Sequence, residues 1–375
     1  MEDCPRVREL VQLSISSSGV QIAPCLEEAI EEIMAKIREN EEKMNQAIRA
    51  LLKLPAIQGE GLQENFIKRK IPPLCQDELR VVGVDGGMLE LNLHGIDILL
   101  LRAVAVKFHY LRGKLEGADY IPAGLPLPKI VATTEPLDHL ELQMLAGMER
   151  QLTEVQVATA AAENLDALLL DGSVIPQYVE RFSRRSFLFT KYRELVAAYI
   201  SLYKKCLEEG ILLAGVVKDS RGTRFVEILK GNLKERDGAE VLEHSRDTVV
   251  LDRLLEVGER TPCFAYREDP AGAVLEDLGK FGEKVSVVYL KVAPFDRPTR
   301  VEFIWDGDPP GTAERLSSLL TSISSHHQAF GIPTVLVEAD RLARLGEEEL
   351  EPIIGRIADV AGEEAMKLRR ERRPF

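Results

Sequence analysis

The chain has 375 residues, of which 45% are hydrophobic and 29% charged, and its formal net charge is −13. That length buries a sizeable core in one elaborated domain or two smaller ones, while the acidic balance argues against coating nucleic acid by bulk electrostatics, which depends on clustered Lys and Arg. Five scattered cysteines, Cys4, Cys25, Cys75, Cys206 and Cys263, form neither a disulfide framework nor a zinc pattern, and the longest apolar run, near Ile96 to Val106, is broken by Arg102, so no membrane span is expected.

The first residues include Glu2, Asp3, Arg6 and Arg8 and no apolar stretch of signal-peptide length, so a cytoplasmic protein is expected. The first predicted element is a long helix from about Leu26 to Leu54, opening after Pro24. Ile30, Ile37, Met44 and Leu51 recur every seven residues, with Ile33, Met34, Ala47 and Ile48 between them and Glu41 breaking the stripe. Such a coiled-coil-like arm serves equally as a helix packed on its own domain or as a dimerisation or partner-docking arm. With the connector holding Gly59, Gly61, Pro72 and Pro73, it makes up residues 1–77.

From Glu78 the pattern becomes strand-like. Leu79 to Val84, Met88 to Leu93 and Ile96 to Tyr110 read as an antiparallel meander, with turns expected at Gly86-Gly87 and His94-Gly95. A Pro-rich loop from Pro122 to Pro136 precedes a helix from Asp138 to Asn164 and a strand ending at Asp171. A helix from about Lys191 to Glu209, closed by Gly210, precedes the strand Ile211 to Val217. Three strands, helix, strand, helix, strand is the order of an RNase H-like core. The expected fold is α/β, an RNase H-like mixed β-sheet flanked by helices over residues 78–345, with the long N-terminal helical arm before it and a C-terminal helix and basic tail at 346–375.

Two acidic strand ends carry the chemistry. Asp85 in Val84-Asp85-Gly86-Gly87 and Asp171 in Leu170-Asp171-Gly172-Ser173 are predicted to leave neighbouring strands side by side. Clustered hard oxygen ligands select Mg²⁺ or Mn²⁺, and such cations activate a water and stabilise the leaving oxygen of a phosphodiester without a histidine base. A third carboxylate is expected from the intervening helix. Glu154 is the choice, one face-repeat after Arg150 and with Ala158 and Ala161 small enough to let the helix approach; Glu149 is the reserve. Lys218, after the strand Ile211 to Val217, is placed to neutralise a phosphate. Arg300 and Glu302 alternate on one strand face and are expected to pair with each other or with neighbours, and of adjacent His326 and His327, which face different ways, neither is expected to serve as a metal ligand or base. The basic clusters Lys68-Arg69-Lys70, Arg181 with Arg184-Arg185, Lys204-Lys205 and the tail from Lys367 to Arg373 read singly as solvated faces.

Taken together, Val84-Asp85-Gly86-Gly87, the helix with Arg150 and Glu154, Leu169-Leu170-Asp171-Gly172-Ser173, Gly215 to Ser220, Tyr289 to Val292, Arg300-Val301-Glu302 and Gly331-Ile332-Pro333 through Ala339-Asp340 resemble the NurA nuclease family. The resemblance implies an RNase H-like fold and a Mn²⁺- or Mg²⁺-dependent DNA nuclease, with 5′-to-3′ exonuclease and single-strand endonuclease action. It also implies a homodimer and a hexameric HerA-type ATPase partner in DNA end resection. It assigns metal binding to Asp85, Glu154 and Asp171. Where the family pattern has a tyrosine before the proline and a histidine after the alanine, this chain has Ile332 and Asp340; Asp340 supplies a fourth carboxylate from a C-terminal helix, or else serves as the N-cap of Arg341-Leu342-Ala343. The residues leave open a structural subunit that has lost turnover, and a kinase-like phosphotransferase whose phosphate loop also opens on a strand, an Asp and glycines.

Overall fold

The computed structural model describes residues 24–93, 95–124, 126–177, 186–234, 238–266 and 272–361. The extreme N-terminus, Arg181, Arg184 and Arg185, and the basic tail lie outside these residues.

Helix α1 (Pro24–Leu51) has two halves. Met44, Ala47, Ile48 and Leu51 are buried against α5 (Ala239–Leu242) and α6 (Asp247–Leu254), whereas Ile30, Ile33, Met34 and Ile37 stay exposed. One apolar stripe therefore packs on its own domain at one end and faces outward at the other. Among the described helices none is long and apolar enough to cross a membrane.

The sheet begins with β1 (Arg69–Lys70), β2 (Glu78–Leu93), β3 (Ile96–Leu111), β4 (Lys114–Ile121) and β5 (Lys129–Thr133). The expected turn at Gly86-Gly87 does not form. β2 runs straight through it as one 16-residue strand, with Gly86 opposite Ala103 and Gly87 opposite Arg102 in β3. β2 and β3 are instead joined beside Gly95, which takes φ of 90°. β4, exposed along most of its length, completes the meander, and its polar sequence hid it from periodicity.

Helix α2 (His139–Ala161) starts at a capping box in which Asp138 accepts from the Glu141 N–H and Glu141 from the Asp138 N–H, each at 2.9 Å. It leads to β6 (Ala167–Asp171), then α3 (Phe187–Glu209), closed by left-handed Gly210, and β7 (Leu212–Val217). β6 lies parallel to both β2 and β7, so β4-β3-β2-β6-β7 forms the mixed RNase H-like sheet. The sheet continues through β11 (Thr299–Ile304) to β10 (Val285–Lys291), with the short β8 (Glu259–Arg260) and β9 (Phe264–Ala265) on β10. α4 (Arg224–Lys230) and α7 (Gly272–Asp277) lie in the connections between them.

Alternate residues of β2 serve opposite layers. Val82 and Val84 join α2 and α3 in one core, while Val81 joins α8 (Pro309–Ser324) and α9 (Thr334–Ala343) in the other. The glycines of β2 make both approaches possible. A Cβ added at Gly83 would lie 2.9 Å from the Val335 carbonyl carbon and oxygen, and one at Gly87 would collide with the Ala343 carbonyl. On the other face, a Cβ at Gly86 would sit 2.6 Å from Glu154 Cγ. Beyond α9, Arg102 donates to Glu349 and to the Arg344 carbonyl, and α10 (Glu351–Ala361) lays Ile353, Ile354 and Ile357 against the distal ends of β2 and β3.

Because these neighbours are backbone, Gly87→Ala is expected to lower stability by about 2 kcal/mol or more. Gly147→Ala, in α2 with open space around its Cα, is expected to be neutral or stabilising by up to ~1 kcal/mol. Chemical denaturation of the two variants checks the contrast, and equal midpoints would contradict it.

Candidate metal centre

The parallel register of β2 and β6 ends at Val84 beside Leu170. The next residues along the two chains are Asp85 and Asp171, which therefore emerge as lateral neighbours at the spacing of adjacent strands. Both point to the α9 side of the sheet, and α9 contributes Asp340. Carboxylate oxygens of Asp85, Asp171 and Asp340 all lie within 4.8 Å of one another. Asp85 is buried, Asp171 half-buried and Asp340 exposed, so the cluster opens to solvent from the helix side. Asp340 is the seventh residue of α9, whose N-cap position is Pro333, and this corrects its alternative reading as an N-cap.

Glu154 arrives from the other face. Its carboxylate lies over the backbone of Gly86, in the space a side chain there would fill. Arg150, one turn earlier in α2, donates to Glu154 Oε1 at 2.6 Å and to the Gly86 carbonyl at 3.3 Å, which fixes the carboxylate against the strand. Glu154 is thus beside the three clustered aspartates but outside their 4.8 Å set among the described residues. The reserve, Glu149, is elsewhere: buried in α2, it pairs with Lys129 at 3.1 Å and Lys191 at 2.9 Å. Burial alone would raise its carboxyl, but the two lysines outweigh that and hold it below its ordinary value.

The charges at the cluster are not balanced. Burial first, then the Asp171 carboxylate and more distant Asp340, push Asp85 up to about 6 from 3.8, against the Gly86 N–H and Lys218. The Gly86 N–H donates to Asp85 Oδ1 at 2.7 Å. Asp171 is also raised, by burial, although Lys218 Nζ donates to its Oδ2 at 2.6 Å. Burial pushes Glu154 up to about 8 despite Arg150, with Asp85 and Asp171 adding to the rise. Burial would lower Lys218, but its hydrogen bond to Asp171 together with the charges of Asp171, Asp85 and Asp340 outweighs that and holds it above its ordinary value. A site made only of carboxylate oxygens, repelling one another and short of cations, fits a hard divalent cation. Asp85, Asp171 and Asp340 are the residues positioned to hold it.

The loop after Asp171 is fixed from beneath. Gly215 in β7 leaves room for it, since a Cβ there would lie 2.5 Å from the Val174 N. Glu302 in β11 accepts from the Ser173 hydroxyl and from the Val174 N–H at 3.3 Å. Arg300 does pair with Glu302, at 2.8 Å, and both are buried. The pairing was legible as an alternation on one strand; the grip on residues 173 and 174 was not, because it joins segments far apart in sequence. His326 and His327 sit in an exposed turn after α8, where His327 Nδ1 accepts the Ala329 N–H at 3.1 Å. Ile332 is buried in the core beneath α9.

The NurA domain family is matched over residues 79–345, well over half of the chain. This chain belongs to the NurA domain family. The NurA domain here is similar in fold to the crystal structure of the NurA nuclease from Sulfolobus solfataricus, at 15% identity and a TM-score of 0.58 over 92% of this chain and 98% of that one. A NurA structure bound to dAMP and manganese is 12% identical, with a TM-score of 0.53 over 90% of this chain and 98% of that one. A NurA structure with manganese is also 12% identical, with a TM-score of 0.54 over 89% and 98%. No curated protein matches this NurA-domain chain in sequence.

Burial, with mutual repulsion added to it, makes the cluster a stability liability without a cation. The folded state raises the Asp85 carboxyl from 3.8 to about 6, so ionisation destabilises the fold as pH rises through that window and the full cost stands above it. Two units correspond to about 3 kcal/mol at most. Asp85→Asn, which keeps an oxygen for the Gly86 N–H, is expected to melt a few degrees higher than wild type in EDTA at neutral pH. A divalent cation should stabilise wild type more than the variant. Differential scanning calorimetry checks both, and an Asp85→Asn protein that melts below wild type in EDTA would contradict this cost of a buried, crowded charge.

Proposed function

We propose that this NurA-domain chain is a divalent-metal-dependent DNA nuclease, a phosphodiester hydrolase. One observation carries the reading: three carboxylates from β2, β6 and α9, with Lys218 at their side, converge on one solvent-open point of the sheet. Family membership supports it, as do relatives described as a nuclease and as bound to dAMP and manganese.

The bound cation, Mn²⁺ or Mg²⁺, would polarise the phosphoryl group and lower the pKa of water. Asp85, Asp171 and Asp340 supply its oxygen ligands, and Glu154 a further carboxylate through the gap left at Gly86. Arg150 keeps Glu154 from swinging away from the strand. Lys218, already charged and partly buried, shares its ammonium between Asp171 and a phosphate oxygen, offsetting the negative charge that builds as water attacks phosphorus and the P–O bond breaks. Glu302, through Ser173 and Val174, holds the loop so that Asp171 keeps its aim.

The finer parts of the reading are 5′-to-3′ exonuclease and single-strand endonuclease action, homodimer formation and work beside a HerA-type hexameric ATPase in DNA end resection. The resemblance in the core motifs supports them, and the outward stripe Ile30, Ile33, Met34 and Ile37 on α1 offers an apolar face of the kind that macromolecular contacts cover.

Purified protein incubated with linear duplex and single-stranded DNA is expected to cleave with Mn²⁺ or Mg²⁺ and not in EDTA. Asp85→Asn and Asp171→Asn should each lose at least about 100-fold in rate, since even indirect supports of a metal cost ~10–100-fold. A wild type as inert as the variants, with the ATPase present, would sink the nuclease reading. Metal affinity should climb with pH from about 6 to 8, as protons leave Asp85 and then Glu154. Calorimetric titration with Mn²⁺ at pH 7, in buffers of different ionisation enthalpy, should show proton release; pH-independent binding would count against these ligands.

A further inference from the structure

Next to the carboxylate cluster lies a groove of about 750 Å³, open to solvent and walled by the segment after β7, the turn between α5 and α6, and the loop between β10 and β11. Its lining is mostly polar, and its cations are Lys218, Arg221, Arg246, Arg253 and Arg297. Two are already engaged: Lys218 by Asp171 and Arg253 by Glu41 of α1. Arg221, Arg246 and Arg297 are exposed, and their side chains form no ion pair with a described residue. Of the two acids in the lining, Asp252 is tied to Lys291, which leaves Asp219 as the opposing charge. Three exposed guanidinium groups without a described counter-charge, on a chain of net charge −13, make this a local reversal of sign. Lys218 belongs to the groove and to the cluster alike, so the two share a wall.

We infer that this groove binds the sugar–phosphate backbone of a single nucleic-acid strand and leads it to or from the carboxylate cluster. The identity of the ligand rests on the nuclease reading above. Guanidinium forks suit phosphate oxygens, and the volume falls in the range of small-ligand sites, which accommodates a short stretch of one strand. His244 is the one ring in the lining, so the groove offers no series of stacking platforms. Recognition is therefore by backbone charge and independent of base sequence. The buried chain from Asp247 at the start of α6 through the Tyr289 hydroxyl to Arg300 braces the groove wall against the strand that carries Glu302.

The test is binding without turnover. A fluorescein-labelled single strand of about ten nucleotides, within the footprint of single-strand sites, is titrated in EDTA against wild type, Arg221→Ala/Arg246→Ala/Arg297→Ala, and Arg315→Ala on α8 as a surface control. The triple variant is expected to bind on the order of ten-fold or more weakly. Its slope of log affinity against log salt should be shallower by about 2, three lost contacts at roughly 0.7 each. Arg315→Ala should match wild type. No binding by wild type, an unchanged slope in the triple variant, or a loss confined to duplex DNA would overturn the groove. A wild type that binds through these arginines yet never cleaves with any divalent cation would instead refute the nuclease reading and leave the groove standing.

Discussion

Everything at the cluster depends on one strand being bare at three positions. β2 has no side chain at residues 83, 86 and 87, and that lets α9 press its backbone on one face while Glu154 settles on the other. Asp85 stands between them, so a single strand brings carboxylates from two helical layers within reach of each other. A methyl group at position 86 would displace the Glu154 side chain; one at 83 or 87 would force α9 outward, and helices move as units. The aspartate at 340 would leave with its helix. The geometry of the site is therefore a property of close backbone packing before it is a property of charge.

Charge then sets the terms. Burial first, and neighbouring carboxylates second, raise the proton affinity of Asp85, Asp171 and Glu154, and Lys218 and Arg150 answer only part of that cost. The surroundings hold the arrangement rigid. Beneath the loop after Asp171, Glu302 grips residues 173 and 174 and is itself neutralised by Arg300. Arg300 in turn meets the Tyr289 hydroxyl, which donates to Asp247 at 2.8 Å, and Asp247 accepts the Phe225 and Val226 N–H groups. A buried polar chain satisfied along its length in this way specifies one arrangement, because any slip leaves an ion without a partner.

The sequence made the core order readable because each element had its own signal: alternating or continuous apolar runs for strands, Asp138 with Glu141 for the start of α2, Gly210 for the end of α3. Asp85 and Asp171 stood out for the same reason, as polar residues closing apolar runs. Gly86-Gly87 misled, because glycine marks a turn and a close approach alike, and only the partner across the gap tells them apart. That partner is Glu154 for one and Ala343 for the other, each distant in sequence. β4 escaped notice because an exposed strand has no apolar face to betray it. The groove arginines at 221, 246 and 297 come from three separate connections, so no local run of positive charge announced them.

The last clustered carboxylate, Asp340, arrives on α9, near the end of the family domain, while Asp85 lies near its beginning. During synthesis the earlier strands and α2 emerge and can pair long before α9 leaves the ribosome. Until α9 docks onto the bare strand, the aspartates of β2 and β6 face water with an incomplete set of ligands. Docking of α9 and assembly of the three-carboxylate cluster are thus one event. A fragment that stops before α9 therefore keeps two of the aspartates and lacks the cluster.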